Sequence, residues 1–588
     1  MPDEVYTVIT FSPVQGFIEK SRKLRDLYGS SFLLSYLADA ICNGARDYLG
    51  GDPVISPARV NVTLGTPNQI VVRGEFPEAE ARKVFLKAWK TIARACQSWV
   101  EQQCDEWMRE CWERWVRWGL RQNRANGKPA YPWYDDWQRW ERHAWEFFWA
   151  TGASISEARK NLNEIKRARG WTGVNWIGES STLSGADGVA YPGMSLWTGK
   201  RIESQVGTGW NEGVKREETR EFYALLNEKI GGDGAIIDPT EELSIPESIK
   251  RLITLPEVAR STSIDFRELP KSFRDLSKIE SWAGWFQGDG DKAGKYLQNL
   301  EEQGIDEAEG LHEFSRIMRE WGVQTLNDKF PAGLGRIIYA GGDDFLGVFY
   351  RNDRQLAPAE CLQWFYGFPR EVWPAPDTTV TRGESDLQFI SASIGFVWAA
   401  GGVPQRDVLQ HCKEAERAAK SHGRDRIALR ILFNGGNHLQ WVCPWRFLER
   451  ILTGYRDRDG GQNWGHIYSD IATLEARHAF SKEDASIAGN LFTRIYFPDC
   501  ADIFALENWW NVSEQEWWTR SDRAGILGDL ETLLDDKEEE EIKDIRKDLQ
   551  GWFEGLVRES DRQYLPKINT ALNNWIINLA KVGFHLCN

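Results

Sequence analysis

At 588 residues the chain is too long for one hydrophobic core, and length alone points to several domains. Hydrophobic residues make up 41% and charged residues 27%, which excludes general disorder. A formal net charge of −15 excludes a field that gathers nucleic acid over the whole surface, so any RNA or DNA contact must be local. No window approaches the roughly 18 uninterrupted apolar residues of a membrane span, and the start, MPDEVYTVITF, lacks the basic region of a secretory signal. No membrane contact and a cytoplasmic location are expected. The nine cysteines are scattered without a CxxC pair and are expected to be reduced, mostly buried thiols.

Residues 1–80 read as a small α/β unit: VYTVITFSP is a strand, the run to Leu49 has helical spacing, and RVNVTLGTPNQIVVRGEF gives two β-rich runs around a turn. Residues 81–275 change to Trp-rich helices followed by Gly- and Pro-rich sequence, as in an insertion or second domain. With 30 Trp in the chain, aromatics among Arg could stack on bases, but buried helix packing is the preferred reading. A second α/β unit spans 276–435. WAGWFQ is a strand, KYLQNLEEQG and GLHEFSRIMREWGVQTLNDKF are helices, and GRIIYA and DFLGVFY are strands on either side of GGDD. FISASIGFVWAA is a further strand, VLQHCKEAERAAKSHG an amphipathic helix and RIALRILF a last strand. Residues 436–588 read mainly as helices, with the acidic run Asp535 to Glu541 taken as a solvated helix face.

Chemistry concentrates at two places in the second unit. In YAGGDDFLGVF, Gly341 and Gly342 allow a tight hairpin, and Asp343 and Asp344 sit at its tip, which suits a phosphate and its metal. About fifty residues earlier, Asp289 and Asp291 flank Gly290 just after a strand. A calcium loop would need further oxygen ligands and a Glu at its twelfth position, whereas this segment runs into Lys292, Lys295 and a helix. If the two loops meet, four carboxylates converge, and divalent cations would relieve their repulsion. Hard oxygen ligands favour two Mg2+ or Mn2+ ions, which activate a 3′-hydroxyl and stabilise leaving pyrophosphate. Lys420 and Arg424, four apart at the end of a helix, could both face phosphates or could simply complement the helix C-terminus.

At these residues the chain resembles the large polymerase-cyclase subunit of type III CRISPR effector complexes, specifically the Cmr-type (III-B) form. FSPVQGFIEKSRKLRDLYGSSFLLSYL looks like that family's first Palm domain; DGDKAGKYL, IIYAGGDDFLGVF and SIGFVWAAGGVP with AERAAKSHGRDRIAL look like the second. The resemblance implies an α/β (α+β) fold with two ferredoxin-like Palm domains, a helical middle domain and a helical C-terminal domain. It implies ATP as substrate and cyclic oligoadenylate as product when target RNA binds. It also implies a complex with other Cmr-type subunits, guide RNA and target RNA. It gives metal binding to Asp289, Asp291, Asp343 and Asp344, the nucleotide turn to Gly341 and Gly342, and a triphosphate contact to Lys420; catalysis is expected of Asp289, Asp343 and Asp344, and Gly290 and Arg424 are expected among the nucleotide-binding residues. In the first Palm domain Phe11-Ser12-Pro13 stands where the second has DGD, and the hairpin carries Thr66-Pro67-Asn68, so that half is expected to bind ATP without its own metals.

Two departures from the family's pattern stand out. None of the eight His is followed by Asp and the chain starts at the Palm strand, so no HD nuclease activity is expected. WIGESSTLSGADG, where the family often holds zinc, contains no Cys, so zinc is expected to be absent. Two other readings keep part of this picture. One is a non-catalytic scaffold subunit of the same ribonucleoprotein. The other is a stand-alone diguanylate cyclase, which usually places Glu-Phe after Gly-Gly-Asp where Asp344-Phe345 stands here.

Overall fold

The computed structural model describes residues 4–58, 65–117, 124–125, 128–129, 132–170, 179–193, 212–232, 234, 236–262, 282–351, 353–374, 388–534, 544–545 and 564–588. The chain divides into two units, residues 1–275 with 305–319, and residues 276–304 with 320–588. Each is a mixed helix-and-sheet structure on a sheet of its own.

The first sheet has strands β1 (Tyr6–Ser12), β2 (Val54–Ser56), β3 (Gln69–Arg73) and β4 (Glu146–Gly152), in the antiparallel order β2-β3-β1-β4. β1, YTVITFS, is β-branched and aromatic, and as a central strand it buries six of its seven residues. Helix Leu24–Leu49 joins β1 to β2, and helix Glu78–Gln103 follows β3. The resulting β-α-β-β-α-β course with the last strand beside the first is the ferredoxin-like arrangement.

β4 corrects the expected boundary at residue 80, because EFFWATG supplies the edge of this sheet from within the stretch read as Trp-rich helices. Aromatics at adjacent positions hide the period-two alternation there. The expected strand before Gly65 falls on residues 59–64, outside the described residues. Helix Glu307–Glu320, read as part of the second unit, groups with the first apart from its last residue. The reason is local. The Glu307 carboxylate accepts from Ile155 N–H (2.9 Å) and Ser156 Oγ (2.5 Å) at the N-terminus of helix Ile155–Ala168, and Ser315 Oγ accepts from Ala58 N–H (2.9 Å).

The Trp-rich helices pack as expected. Trp89, Trp99, Trp112, Trp115, Trp133 and Trp137 lie in the first unit's core, and four indole N–H groups find acceptors there: Trp140 O, Glu257, Glu218 and Glu101, each at 3.1 Å. Rings buried and hydrogen-bonded in this way have no free face for a base. All nine cysteines are free thiols, eight of them buried. Among the described residues no helix is long and apolar enough to cross a membrane.

The second sheet has six strands: β5 (Ala283–Gly290), β6 (Gly335–Ala340), β7 (Phe345–Phe349), β8 (Ala392–Ala399), β9 (Arg426–Leu432) and β10 (His438–Pro444), in the order β10-β9-β8-β5-β7-β6. All pairs are antiparallel except β8 with β9, which the amphipathic helix Gln405–Ser421 connects. The four strands β8-β5-β7-β6 repeat the course of the first sheet. They include helix Pro358–Gly367, which the sequence reading passed over because its cluster of Trp, Phe and Tyr obscures the helical period. β10 extends the sheet past the expected boundary at 435, where helices were expected. The helices Trp445–Gly454, Gly465–Ala476 and Leu565–Cys587 follow it, and the acidic run 535–541 lies outside the described residues.

Candidate active site

β5 is a central strand with β8 on one side and β7 on the other, so its C-terminal end lies beside the tip of the β6–β7 hairpin. In register, Gly288 faces Phe345 and Asp289 faces Ser393. The loops bearing Asp289-Gly290-Asp291 and Gly341-Gly342-Asp343-Asp344 therefore meet. A Cβ placed on Gly290 would lie 2.8 Å from Asp343 Cβ and 3.2 Å from its Oδ2, so only a residue without a side chain permits this approach. The hairpin turn closes through Gly341 N–H to Asp344 O (2.9 Å), with Gly342 at φ +110°. A side chain at Gly341 would run into the Tyr339 hydroxyl.

The crowding has electrostatic consequences. Burial raises the Asp343 carboxyl well above its ordinary range, and the charges of Asp344 and Asp291 add to the effect. Asp344, although its residue is exposed at the tip, is raised as well because protein crowds its carboxyl. Lys420 supplies the compensating charge. Its Nζ pairs with Asp289 and also lies 2.8 Å from Glu416 Oε1. Burial, followed by the nearby Arg424 guanidinium, pushes Lys420 down to about 8. Burial and the charges of Asp344 and Asp291 push Glu416 up to about 7.

Glu416 was not among the residues singled out from the sequence. The available signal is that it interrupts the apolar stripe Val408, Leu409, Cys412, Ala415, Ala419 on the buried side of its helix, one turn before Lys420.

Two of the expected residues are placed differently. Arg424 is not on the helix with Lys420. The helix ends at Ser421 in a left-handed cap at Gly423 (φ +104°), where Arg424 N–H bonds to Ala419 O and Gly423 N–H to Lys420 O (both 3.2 Å). Arg424 stands beyond that cap at φ +66°, close enough for its charge to act on Lys420 and Asp291. Asp291 is fully buried, and its oxygens accept from Ser393 Oγ (2.7 Å), Ser391 Oγ (2.9 Å) and Asp425 N–H (2.9 Å). It braces the ends of β5 and β8 and the turn before β9. Burial still raises its carboxyl, against the lowering effect of those donors.

Asp291 accepts three hydrogen bonds, whereas Asp289 has the Lys420 ion pair and Asp343 and Asp344 sit at the hairpin tip; the hard oxygens of these three suit Mg2+ or Mn2+. Among the described residues the trio whose ligand atoms all lie within 4.8 Å of one another is Asp457, Asp459 and His466, elsewhere in the second unit.

Residues 6–116 match the family model described as CRISPR-associated protein Cmr2, N-terminal, and residues 283–428, from β5 into β9, match Cas10/Cmr2, second palm domain. No curated protein matches. Among solved structures, the chain is similar to one described as the apo state of type III-B Cmr-beta, at 11% identity and a TM-score of 0.45, covering 76% of this chain and 73% of that one. The Cmr-beta structure bound to cognate target RNA is similar at 12% identity and a TM-score of 0.40, over 75% and 71%. A Csm1-Csm4 cassette in complex with cA4 is similar at 14% and 0.36, over 84% of this chain and 63% of that one, so the chain spans less than two thirds of that relative. The two family models, matched in order along one chain, identify in it the N-terminal region of CRISPR-associated protein Cmr2 and the second palm domain of Cas10/Cmr2.

Proposed function

We propose that the chain is the cyclic oligoadenylate synthase subunit of an RNA-guided, type III-B CRISPR antiviral complex, joining ATP molecules by nucleotidyl transfer when target RNA is bound. The observation that carries the reading is the packing of Gly290 on Asp343, which brings two acidic loops, distant in sequence, to one sheet end beside Lys420. Asp289, Asp343 and Asp344 would hold two Mg2+ or Mn2+ ions, which when bound lower the pKa of an attacking 3′-hydroxyl and neutralise the leaving pyrophosphate.

Lys420, held between Asp289 and Glu416, turns toward the triphosphate. Gly341 and Gly342 keep side chains off the turn, so that a nucleotide can approach its backbone. Asp291 keeps the end of β5 in place. The first unit, with no acids at the matching strand end, binds a second ATP without metals of its own. Other Cmr-type subunits, guide RNA and target RNA complete the assembly.

The test is product formation from labelled ATP by the reconstituted complex with magnesium and target RNA. Oligoadenylate should appear with target RNA and vanish in Asp343→Ala/Asp344→Ala. Its absence from the wild-type reaction defeats the proposal. One contact favours a non-catalytic scaffold, since Lys420 already neutralises Asp289. The scaffold reading requires no metal-dependent ATP binding by the isolated chain, which calorimetry decides, and replacing ATP with GTP separates the reading from a diguanylate cyclase.

A further inference from the structure

Behind the acidic cluster, the C-terminal part of the second unit grips the turn that ends helix Gln405–Ser421. Asn511, almost fully buried, uses both ends of its amide. Oδ1 accepts from Arg426 Nη2 (2.8 Å) and Gly525 N–H (2.8 Å), while Nδ2 donates to Gly423 O (2.6 Å) and Asp529 Oδ1 (3.0 Å). The amide orientation is thereby fixed, two donors facing the oxygen and two acceptors facing the nitrogen.

The segments are in close contact. A Cβ on Gly528 would lie 1.7 Å from His422 O, and Arg426, also buried, donates to Arg424 O (2.7 Å) and Gly525 O (3.0 Å). Arg424 and Asp425 are both left-handed, at φ +66° and +53°. Such conformations persist only where the surroundings impose them. What the strained turn delivers is the Asp425 N–H, 2.9 Å from Asp291 Oδ2.

We propose that Asn511 is a positioning residue for the nucleotidyl-transfer site. It locks the 422–425 turn in the form that presents the Asp425 N–H to Asp291, and Asp291, through Ser393, fixes the end of β5 from which Asp289 projects. The inference rests on the proposed function for the role of Asp289.

The experiment compares the full chain with Asn511→Ala and with Asn508→Ala, whose parent side chain donates to Asp502 O instead. Thermal melts verify folding, hydrogen exchange is followed on the peptide spanning 422–426, and Mn2+ affinity is measured by electron paramagnetic resonance. In Asn511→Ala, exchange of that peptide should rise and Mn2+ affinity should fall by about tenfold, the lower end of what loss of an outer-shell partner costs. Asn508→Ala should change neither. In an Asp291→Ala background, Asn511→Ala should weaken Mn2+ no further. Should the alanine variant unfold, Asn511→Asp keeps both accepted bonds, loses the donations to Gly423 O and Asp529 Oδ1 and gives the same test. Wild-type exchange in a folded Asn511 variant, or a full second loss of affinity in the Asp291→Ala background, overturns the inference. Absence of Mn2+ binding by the wild-type chain overturns the proposed function instead, and the exchange measurement still decides whether Asn511 holds the turn.

Discussion

The two sheets follow the same course and end in opposite chemistry. β1 and β5 are each the first strand of a β-α-β-β-α-β path, with the last of its strands on one side and the third on the other. At the end of β5 stand Asp289 and Asp291, with Asp343 across from Gly290. At the end of β1 the chain reads Phe11-Ser12-Pro13. Phe11 is buried, and the buried Thr10 hydroxyl accepts from the Asn68 amide (3.2 Å). Neutral hydroxyl and amide groups satisfy one another, whereas clustered acids call for a counter-charge. The fold alone therefore makes no site, and the residues at the strand ends decide.

The first unit does bury a carboxylate, but in a setting that stabilises it. Asp26 accepts from Arg251 Nε (2.7 Å) and from the Arg22 and Lys23 N–H groups (3.0 Å each). Burial alone would raise its carboxyl, yet the Arg251 charge and hydrogen bonds hold it below the ordinary range.

The largest effects should separate the two strand ends. Asp289→Asn and Asp343→Asn should each reduce Mn2+ affinity by more than the roughly 10–100-fold expected for an outer-shell partner. Thr66→Ala, in the hairpin of the first sheet, should leave it unchanged. Calorimetric titration of Mn2+ reads both, and equal losses from the two sheets would erase the distinction.

Next in size is the first unit's buried pair. Asp26→Asn leaves the Arg251 charge with one less partner and should cost about 3–5 kcal/mol in urea unfolding at neutral pH. The sign of the pH dependence follows from the depressed carboxyl. Above the unfolded value near 3.8 its contribution is fully present, and it is lost as pH falls through the still lower folded value. The gap between wild type and variant should therefore hold from neutral pH to about 4 and close below it.

Much of this site was legible because it is local in sequence. GGDD marks a hairpin tip, and an Asp pair after an apolar run marks a strand end. Their meeting was an inference from topology, which β5 between β8 and β7 fulfils. Three things were not legible, for physical reasons. β4 and helix Pro358–Gly367 carry aromatics on adjacent positions, so no period shows. The exit of Arg424 from the helix depends on Gly423 taking a left-handed cap, and a helix-end glycine at that spacing fits either side of the boundary. The role of Asp291 depends on Ser391, Ser393 and Asp425, a hundred or more residues away, which nothing local announces.

A smaller effect tests the close approach itself. Gly290→Ala places a methyl group against Asp343 and should cost about 1–3 kcal/mol of stability as overpacking. It should also weaken Mn2+ binding, since Asp343 must move. A stability loss with unchanged Mn2+ affinity would mean that the two loops do not share a cation.

The smallest change lies in the first sheet and bears most directly on the comparison. Asn68→Ala removes the amide that donates to Thr10 Oγ1 at the strand end matching the acidic one. A single neutral hydrogen bond of this kind contributes about 0.5–1.5 kcal/mol, so the urea midpoint should shift slightly downward. Because no carboxylate depends on that amide, Mn2+ affinity should stay at the wild-type value, and ATP affinity measured without metal should fall if the first unit holds nucleotide through neutral groups. A variant that loses Mn2+ binding instead would place a cation at the neutral strand end, and the contrast between the two sheets would no longer rest on their acids.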